Sequence, residues 1–270
     1  MVMVKASKEL KMVMPVYNEE GAVGEVIKKW AQKFQELKIN YEIHVYNDGS
    51  KDNTAKILDL IKINNPNINL VIHNKINSGH GPTILLGYRE CSCGQNSSNS
   101  SDAATVAATW IFQTDSDDET SPEDFIKLWD KRDNFDFLIG IRSGDATSKR
   151  PLARKIISFV SRISVWFFYG QGVSDINTPF RLMRIEKFKD YYKLIPEDTF
   201  APNVILSGIA CLKKFRIFET NITTQNRKTG EVSIKKWKLL KASCKSFWQT
   251  IKFRFTFIFG SRFNYSKDYN

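Results

Sequence analysis

Four carboxylates stand almost side by side in TDSDDET, residues 114–120: Asp115, Asp117, Asp118 and Glu119. Like charges packed this densely repel one another, and a partly buried carboxylate is costly unless something neutralises it. In an extended chain successive side chains point to opposite sides, so Asp115, Asp117 and Glu119 are in phase and Asp118 is not. Three hard oxygen ligands on one side suit Mg²⁺ or Mn²⁺, and such an ion would bridge two phosphates of a nucleotide. Two further polar clusters stand at Pro15-Val16-Tyr17-Asn18-Glu19 and Asn47-Asp48-Gly49-Ser50. Glu197 and Asp198, in IPEDTF, are the candidates for a general base. Transfer to a hydroxyl needs such a base, whereas an ionised phosphate acceptor does not; a plain loop is the better reading of this pair.

These clusters need elements to hold them. LKMVMPVY, YEIHVYND, NLVIHN, ATWIFQTD and DFLIGIRS read as five strands. The segments between them carry helical spacing: GAVGEVIKKWAQKFQEL, with Val23, Ile27, Trp30 and Phe34 in phase; SKDNTAKILDLIKI, with Ser50 or Asp52 placed to cap it; GPTILLGYREC; and SPEDFIKLWDKR, with Pro122 near its first turn. Alternation of this kind predicts βαβ units, a mostly parallel sheet and helices on both faces. In such sheets ligands bind beyond the carboxyl ends of the strands. All three polar clusters follow strand ends, so one crevice gathers residues far apart in sequence. His80 lies in NSGHGP, a glycine-rich turn into a helix, where it could touch a phosphate or serve only the turn.

The chain has 270 residues, a formal charge of +11 and a pI near 9.4. A basic balance predicts an anionic partner, but no nucleic-acid reading module is recognisable, so nucleic acid is not expected. No apolar signal region and no run of about 18 apolar residues is found. The expectation is a cytoplasmic protein, peripheral at the cytoplasmic face of a membrane, with its four cysteines reduced. Between Cys91 and Ala104 the sequence is small and polar and reads as a surface loop. Near the end, Leu240, Cys244, Phe247, Ile251, Phe255 and Ile258 recur at helical spacing, with Lys238, Lys241, Lys245 and Lys252 on another face. Such a helix either lies on an anionic membrane or packs on the preceding domain.

VMPVYNEE, VYNDGSKDNT, NSGHGPTILLGY and FQTDSDDETSPEDF occur in the order and spacing of glycosyltransferase family 2, and the chain resembles that family over roughly residues 10 to 235. GIRSG, RKIISFVSR, SDINTPFRLMR and RKTGEVS look like its polyprenyl-phosphate (dolichyl-phosphate) mannosyltransferase-like branch. The resemblance implies the GT-A fold, a three-layer α/β/α sandwich with a Rossmann-like nucleotide-binding half. It places Pro15, Tyr17, Glu19, Tyr46 and Asp48 around the nucleotide. Asp115, Ser116 and Asp117 would face the diphosphate and sugar, and Asp115, Asp117 and Glu119 would hold Mg²⁺ or Mn²⁺. Arg142, at the end of the fifth strand, and Arg154, Ser158 and Arg227 match positions that bind donor and acceptor phosphates. Asp117, Arg142 and Arg227 would carry the reaction. The sequence departs from the family pattern at Asn47, where an acid is usual, and at Glu119, where a polar residue is usual.

The expected organisation is a GT-A domain over residues 1–235 and a basic amphipathic helical extension over 236–270. The expected function is metal-dependent, inverting transfer of a hexose from a GDP- or UDP-sugar to a polyprenyl-phosphate-type lipid. Two alternatives stay open: transfer to a sugar hydroxyl of a glycan or glycolipid, and a non-catalytic nucleotide-sugar-binding subunit. A partner subunit or a homo-oligomer is compatible with either.

Overall fold

Short apolar runs, two of them buried at every position, build seven strands among the described residues: β1 (Leu10–Val16), β2 (Tyr41–Asn47), β3 (Leu70–Asn74), β4 (Trp110–Gln113), β5 (Phe137–Ser143), β6 (Arg181–Arg184) and β7 (Ile217–Thr223). The computed structural model describes residues 9–93, 108–143, 169, 172–225 and 244–256. The strands form one sheet in the order β3-β2-β1-β4-β6-β5-β7. β1 is parallel to β2 and β4, β2 to β3, and β5 to β7, while β6 runs antiparallel between β4 and β5. The mostly parallel sheet expected from the alternation is therefore a mixed sheet, with its one reversed strand near the middle.

Among the described residues these helices flank it: α1 (Val23–Glu36), α2 (Thr54–Asn64), α3 (His80–Ser92), α4 (Phe125–Trp129), α5 (Ile185–Leu194) and α6 (Pro202–Leu212), with a further helical stretch at residues 244–256. Side chains on the two faces of each strand enter two separate cores. Met12 and Met14 pack with α1, whose Val23, Ile27, Trp30 and Phe34 are all buried. Trp30 meets Phe112 of β4 with ring centroids 5.0 Å apart. Val13, between the two methionines, packs instead with α3, α5 and α6. Two cores on opposite faces make the three layers that the sequence pattern predicts.

β1 is the switch point of the topology: β2 lies on one side of it, and β4 lies on the other after the chain crosses back. A crevice opens outside the carboxyl ends at such a point. The helix expected over residues 121–132 is shorter than its pattern. Pro122–Asp124 is a 3₁₀ turn, with the Ser121 hydroxyl accepting from the Glu123 N–H at 3.3 Å, and only Phe125–Trp129 is α-helical. Most of the polar loop expected between Cys91 and Ala104 lies outside the described residues; Cys91 and Ser92 belong to α3.

Candidate functional site

The loops after β1 and β2 fold around one another. The Asn18 N–H donates to Ser50 Oγ at 3.0 Å, and Asn18 Oδ1 accepts from the Lys51 N–H at 2.8 Å. Asn18 has φ +53°, a left-handed conformation that Asn tolerates better than most residues. The Glu19 N–H donates to Thr54 Oγ1 at 2.9 Å, and Glu20 accepts from the Asn53 N–H at 2.8 Å. Neither predicted cap stands at the N-cap of α2, which is Asn53; Asp52, one residue earlier, accepts from the Thr54 N–H at 3.0 Å, while Ser50 serves the neighbouring loop. Pro15 and Glu19 are buried at this mouth and Tyr17 is exposed.

Asp48 is 3% exposed and is consumed by the turn after β3. Its carboxylate accepts from the Lys75 ammonium and from the N–H groups of Ser78 (2.8 Å) and Gly79 (2.9 Å). Burial alone would raise its pKa; those donors outweigh burial and hold it below the usual carboxylate range. Gly49 has φ +67°, and a Cβ there would stand 2.9 Å from the Asn77 nitrogen, so only glycine fits the turn. Asp48 thus organises the floor of the crevice in this conformation. Tyr46 is placed differently from the expectation that it lines the nucleotide. It is fully buried beneath α3, stacked on His73 at 4.2 Å, with its hydroxyl donated to Glu90 at 3.0 Å. The period of two that puts Asn47 at the mouth turns its neighbour under the helix.

After β4 the acidic residues face three different basic side chains. Asp118, with φ +57°, turns away and pairs with Lys29 of α1 at 2.7 Å. Asp115 Oδ1 accepts from Gln113 Nε2 at 3.3 Å and lies 3.7 Å from His80 Nε2. Arg142, at the end of β5, forms a two-pronged pair with Asp175 at 2.7 and 2.9 Å. Burial would lower the Arg142 pKa, but the charges of Asp175 and then of Asp115 and Glu119 raise it. The loop's far end is fastened by a bridge between Thr120 and Thr224 and by the Gln225 N–H on the Glu119 carbonyl at 2.9 Å. Ser116 is buried inside the loop.

Asp175 and Arg181 now have positions. Arg181 is fully buried and donates to the carbonyls of Thr178, Asn203 and Ile176, clamping the segment that carries Asp175. The two base candidates are engaged: Glu197 with Arg89 at 3.0 Å, and Asp198 with Lys245 at 3.1 Å and Gln249 at 3.2 Å. Arg154, Ser158 and Arg227 lie outside the described residues.

Asp115 and Asp117 offer oxygen-only, half-buried donors, a set that fits Mg²⁺ or Mn²⁺ completed by water and phosphate oxygens. Among the described residues no three His, Cys, Asp or Glu side chains gather closely enough to hold a metal. The expected three-carboxylate set of Asp115, Asp117 and Glu119 is therefore not assembled in this conformation.

Residues 244–256 are helical and dock against the domain. Ser246, Thr250 and Phe253 are buried, the Thr250 carbonyl accepts from the Tyr169 hydroxyl at 3.0 Å, and Gln249 Oε1 accepts from the Phe200 N–H at 2.9 Å. The docked face is not the apolar stripe read from the sequence. Cys244 and Phe255 of that stripe are exposed, as are Trp248, Lys245 and Lys252, while Phe247 and Ile251 are half-buried. Leu240, Ile258, Lys238 and Lys241 lie outside the described residues. Among the described residues no helix is long and apolar enough to cross a membrane.

A mixed α/β/α sandwich with an acidic loop at its switch point defines the GT-A class. The chain belongs to glycosyl transferase family 2, which residues 12–192 match. It is 26% identical over 243 residues to the glycosyltransferase YkcC of Bacillus subtilis (strain 168), covering 87% of this chain and 66% of that protein. It is 26% identical over 216 residues to the dolichyl-phosphate beta-glucosyltransferase of Dictyostelium discoideum, covering 74% of this chain and 62% of that one. The chain thus spans somewhat under two thirds of the length of these relatives. Among solved structures, S. aureus TarS 1-349 in complex with UDP-GlcNAc superposes with TM-score 0.53 at 18% identity, over 83% of this chain and 60% of that one. M. tuberculosis glucosyl-3-phosphoglycerate synthase superposes with TM-score 0.56 at 13% identity, over 91% and 80%. At these identities the superpositions establish the fold.

Proposed function

We propose that this chain transfers a hexose from a nucleotide-sugar to a polyprenyl phosphate at a membrane surface. One observation carries the reading: a two-pronged Arg142–Asp175 pair lies at the carboxyl end of β5, on the same edge of the sheet as the acids after β4 and within electrostatic reach of Asp115 and Glu119. Such an edge presents oxygen ligands for a cation and a fixed guanidinium for phosphate together. Asp115 and Asp117 would hold Mg²⁺ or Mn²⁺ together with the donor's diphosphate. When bound there, the ion supplies charge withdrawal from the leaving group. Arg142, fixed in direction by Asp175, faces the phosphate charge, and Tyr17 offers an exposed ring for the base. Glu119 adds negative charge near Arg142 rather than a third ligand.

Two features support a phosphate acceptor over a sugar hydroxyl. Glu197 and Asp198 are tied to Arg89, Lys245 and Gln249, so neither is poised as a base, and an ionised phosphate needs none. The relatives include dolichyl-phosphate beta-glucosyltransferases, here the Dictyostelium protein. The outward Trp248, Phe255, Lys245 and Lys252 would keep the chain at the lipid surface.

The test is release of nucleoside diphosphate from UDP-glucose and GDP-mannose in Mn²⁺, with vesicles carrying polyprenyl phosphate or with a soluble glycan. Polyprenyl phosphate should accelerate release, and Asp117→Ala or excess chelator should remove most of it. Acceleration by the glycan alone would favour the hydroxyl acceptor, and nucleotide binding without turnover would favour a binding subunit.

A further inference from the structure

Gln113, the last residue of β4, is completely buried, as are Tyr88 of α3 and Asn203 of α6. Three polar side chains from three elements meet in the core, beside the buried Arg181 and Ser207 that both donate to the Asn203 backbone carbonyl. Gln113 Nε2 donates to Asp115 Oδ1 at 3.3 Å. Asn203 Nδ2 donates to Gln113 Oε1 at 2.9 Å, and the Tyr88 hydroxyl reaches Asn203 Oδ1 at 2.8 Å. The sense of this chain follows from its end. An ionised carboxylate only accepts, so Gln113 must turn its NH₂ toward Asp115 and its carbonyl inward. That carbonyl requires the Asn203 NH₂, which leaves the Asn203 carbonyl to take the single Tyr88 proton. The hydroxyl also lies 2.9 Å from Gln113 Oε1, but its one proton is better used on the oxygen that has no other side-chain donor.

We propose that Gln113, Asn203 and Tyr88 are positioning residues that fix the orientation of Asp115 for the donor's cation–diphosphate group. This rests on the reading of Asp115 as part of the donor site. Both Gln113 and His80 approach Oδ1, which sets the plane of the carboxylate and leaves Oδ2 to a ligand. A packing role alone would be met by apolar side chains of similar shape, without the cost of three buried polar groups. Partners of this kind, one bond behind a ligand, orient it and tune its affinity. The same three residues tie α3 and α6 to the end of β4, so the geometry of Asp115 depends on how both helices dock.

The decisive variant is Asn203→Asp, nearly isosteric. It keeps the oxygen that takes the Tyr88 proton and replaces the donor to Gln113 with an acceptor. The Gln113 amide then turns over and sets its carbonyl against Asp115. Calorimetry with UDP and with GDP in Mn²⁺ should show affinity about 10–100-fold weaker for whichever nucleotide the unchanged protein binds; the melting temperature should fall as well, because the substitution buries a carboxylate, and binding is read below the lowered melting point. In an Asp115→Ala background the same substitution should cost nothing further, because its effect passes through that carboxylate. Equal loss in both backgrounds, or no loss in either, overturns the positioning role. If Asp115→Ala binds nucleotide as tightly as the unchanged protein, the donor-site reading itself fails, and this inference with it. Should Asn203→Asp not fold, Tyr88→Phe replaces it, with a smaller loss that must likewise vanish when Asp115 is Ala.

Discussion

His44 is buried on β2 with both ring nitrogens engaged: Nδ1 is 3.1 Å from His73 Nε2, and Nε2 is 3.2 Å from Glu42. His73 Nδ1 lies 3.4 Å from Glu90, so a His73 proton there leaves its Nε2 lone pair facing His44, and in that tautomer the doubly protonated His44 ring satisfies both contacts. Burial would lower its pKa, yet Cys91 and Glu42 push it up to about 9, against a lowering effect of Lys11, while His73 is held down by burial and by His44. The raised value makes stability from this group complete below the unfolded pKa of about 6.5, and it fades as pH rises through about 9. Between those values unfolding free energy should fall with pH by up to about 1.4 kcal/mol per unit from this one proton. Urea denaturation across that window checks it: His44→Gln should flatten the slope, and an unchanged slope would assign the proton elsewhere. The pair joins the edge strand β3 to the sheet, and the turn after β3 carries Lys75, the partner of Asp48.

α3 is set by close approach rather than by its own propensity. A Cβ on Gly81 would stand 2.1 Å from the Phe200 carbonyl oxygen and 2.4 Å from that of Thr199, both backbone atoms that cannot step aside. Gly81→Ala should therefore destabilise the fold by about 1–3 kcal/mol or more. Thermal unfolding reads it, and a melting temperature equal to that of the unchanged protein would show that the helix has freedom to shift. Five strands and the polar residues at their ends were legible in the sequence, because period-two and helical patterns mark elements and topology sends strand ends to one edge. β6 and β7 were not: RLMR is four residues with an arginine at each end, and Arg181 is inside the core, against every compositional expectation, while β7 is largely part-exposed and carries Glu219 and Asn221. The family resemblance places Tyr46 at the nucleotide, and only the position of α3 shows where its ring goes. Asp48 and Lys75 are 27 residues apart and Gln113 and Asn203 are 90 apart, separations at which spacing carries no signal. The split of the acid loop between Lys29, His80 and Arg142 is hidden for the same reason.

At the scale of the whole molecule, the helix at residues 244–256 and α3 grip the same segment, since Phe200 meets Gly81 through its carbonyl and Gln249 through its N–H. The helix therefore presents Trp248 and Phe255 from the flank of the crevice that carries His80. Substituting both by alanine should weaken pelleting with anionic vesicles at low salt with only a small change in melting temperature, because Trp248 is 68% and Phe255 48% exposed. Added salt should weaken binding of the unchanged protein, since each basic residue near an anionic leaflet contributes about 1 kcal/mol. Pelleting by the double variant equal to that of the unchanged protein would move the contact to another surface of this +11 chain. The reversed strand β6 also orders events during synthesis. Among the described residues β5 hydrogen-bonds to β6 and β7, and both are translated after it. The ribosome thus releases the apolar segment Phe137–Ile141 with both edges open, and it stays open until Arg181–Arg184 and then Ile217–Thr223 emerge. Nonlocal pairing of this kind is slow, and an unpaired apolar strand is a template for other chains. Translation between those points is when the nascent chain most needs a chaperone, and a pause there would send more of it to aggregates than a pause after β7.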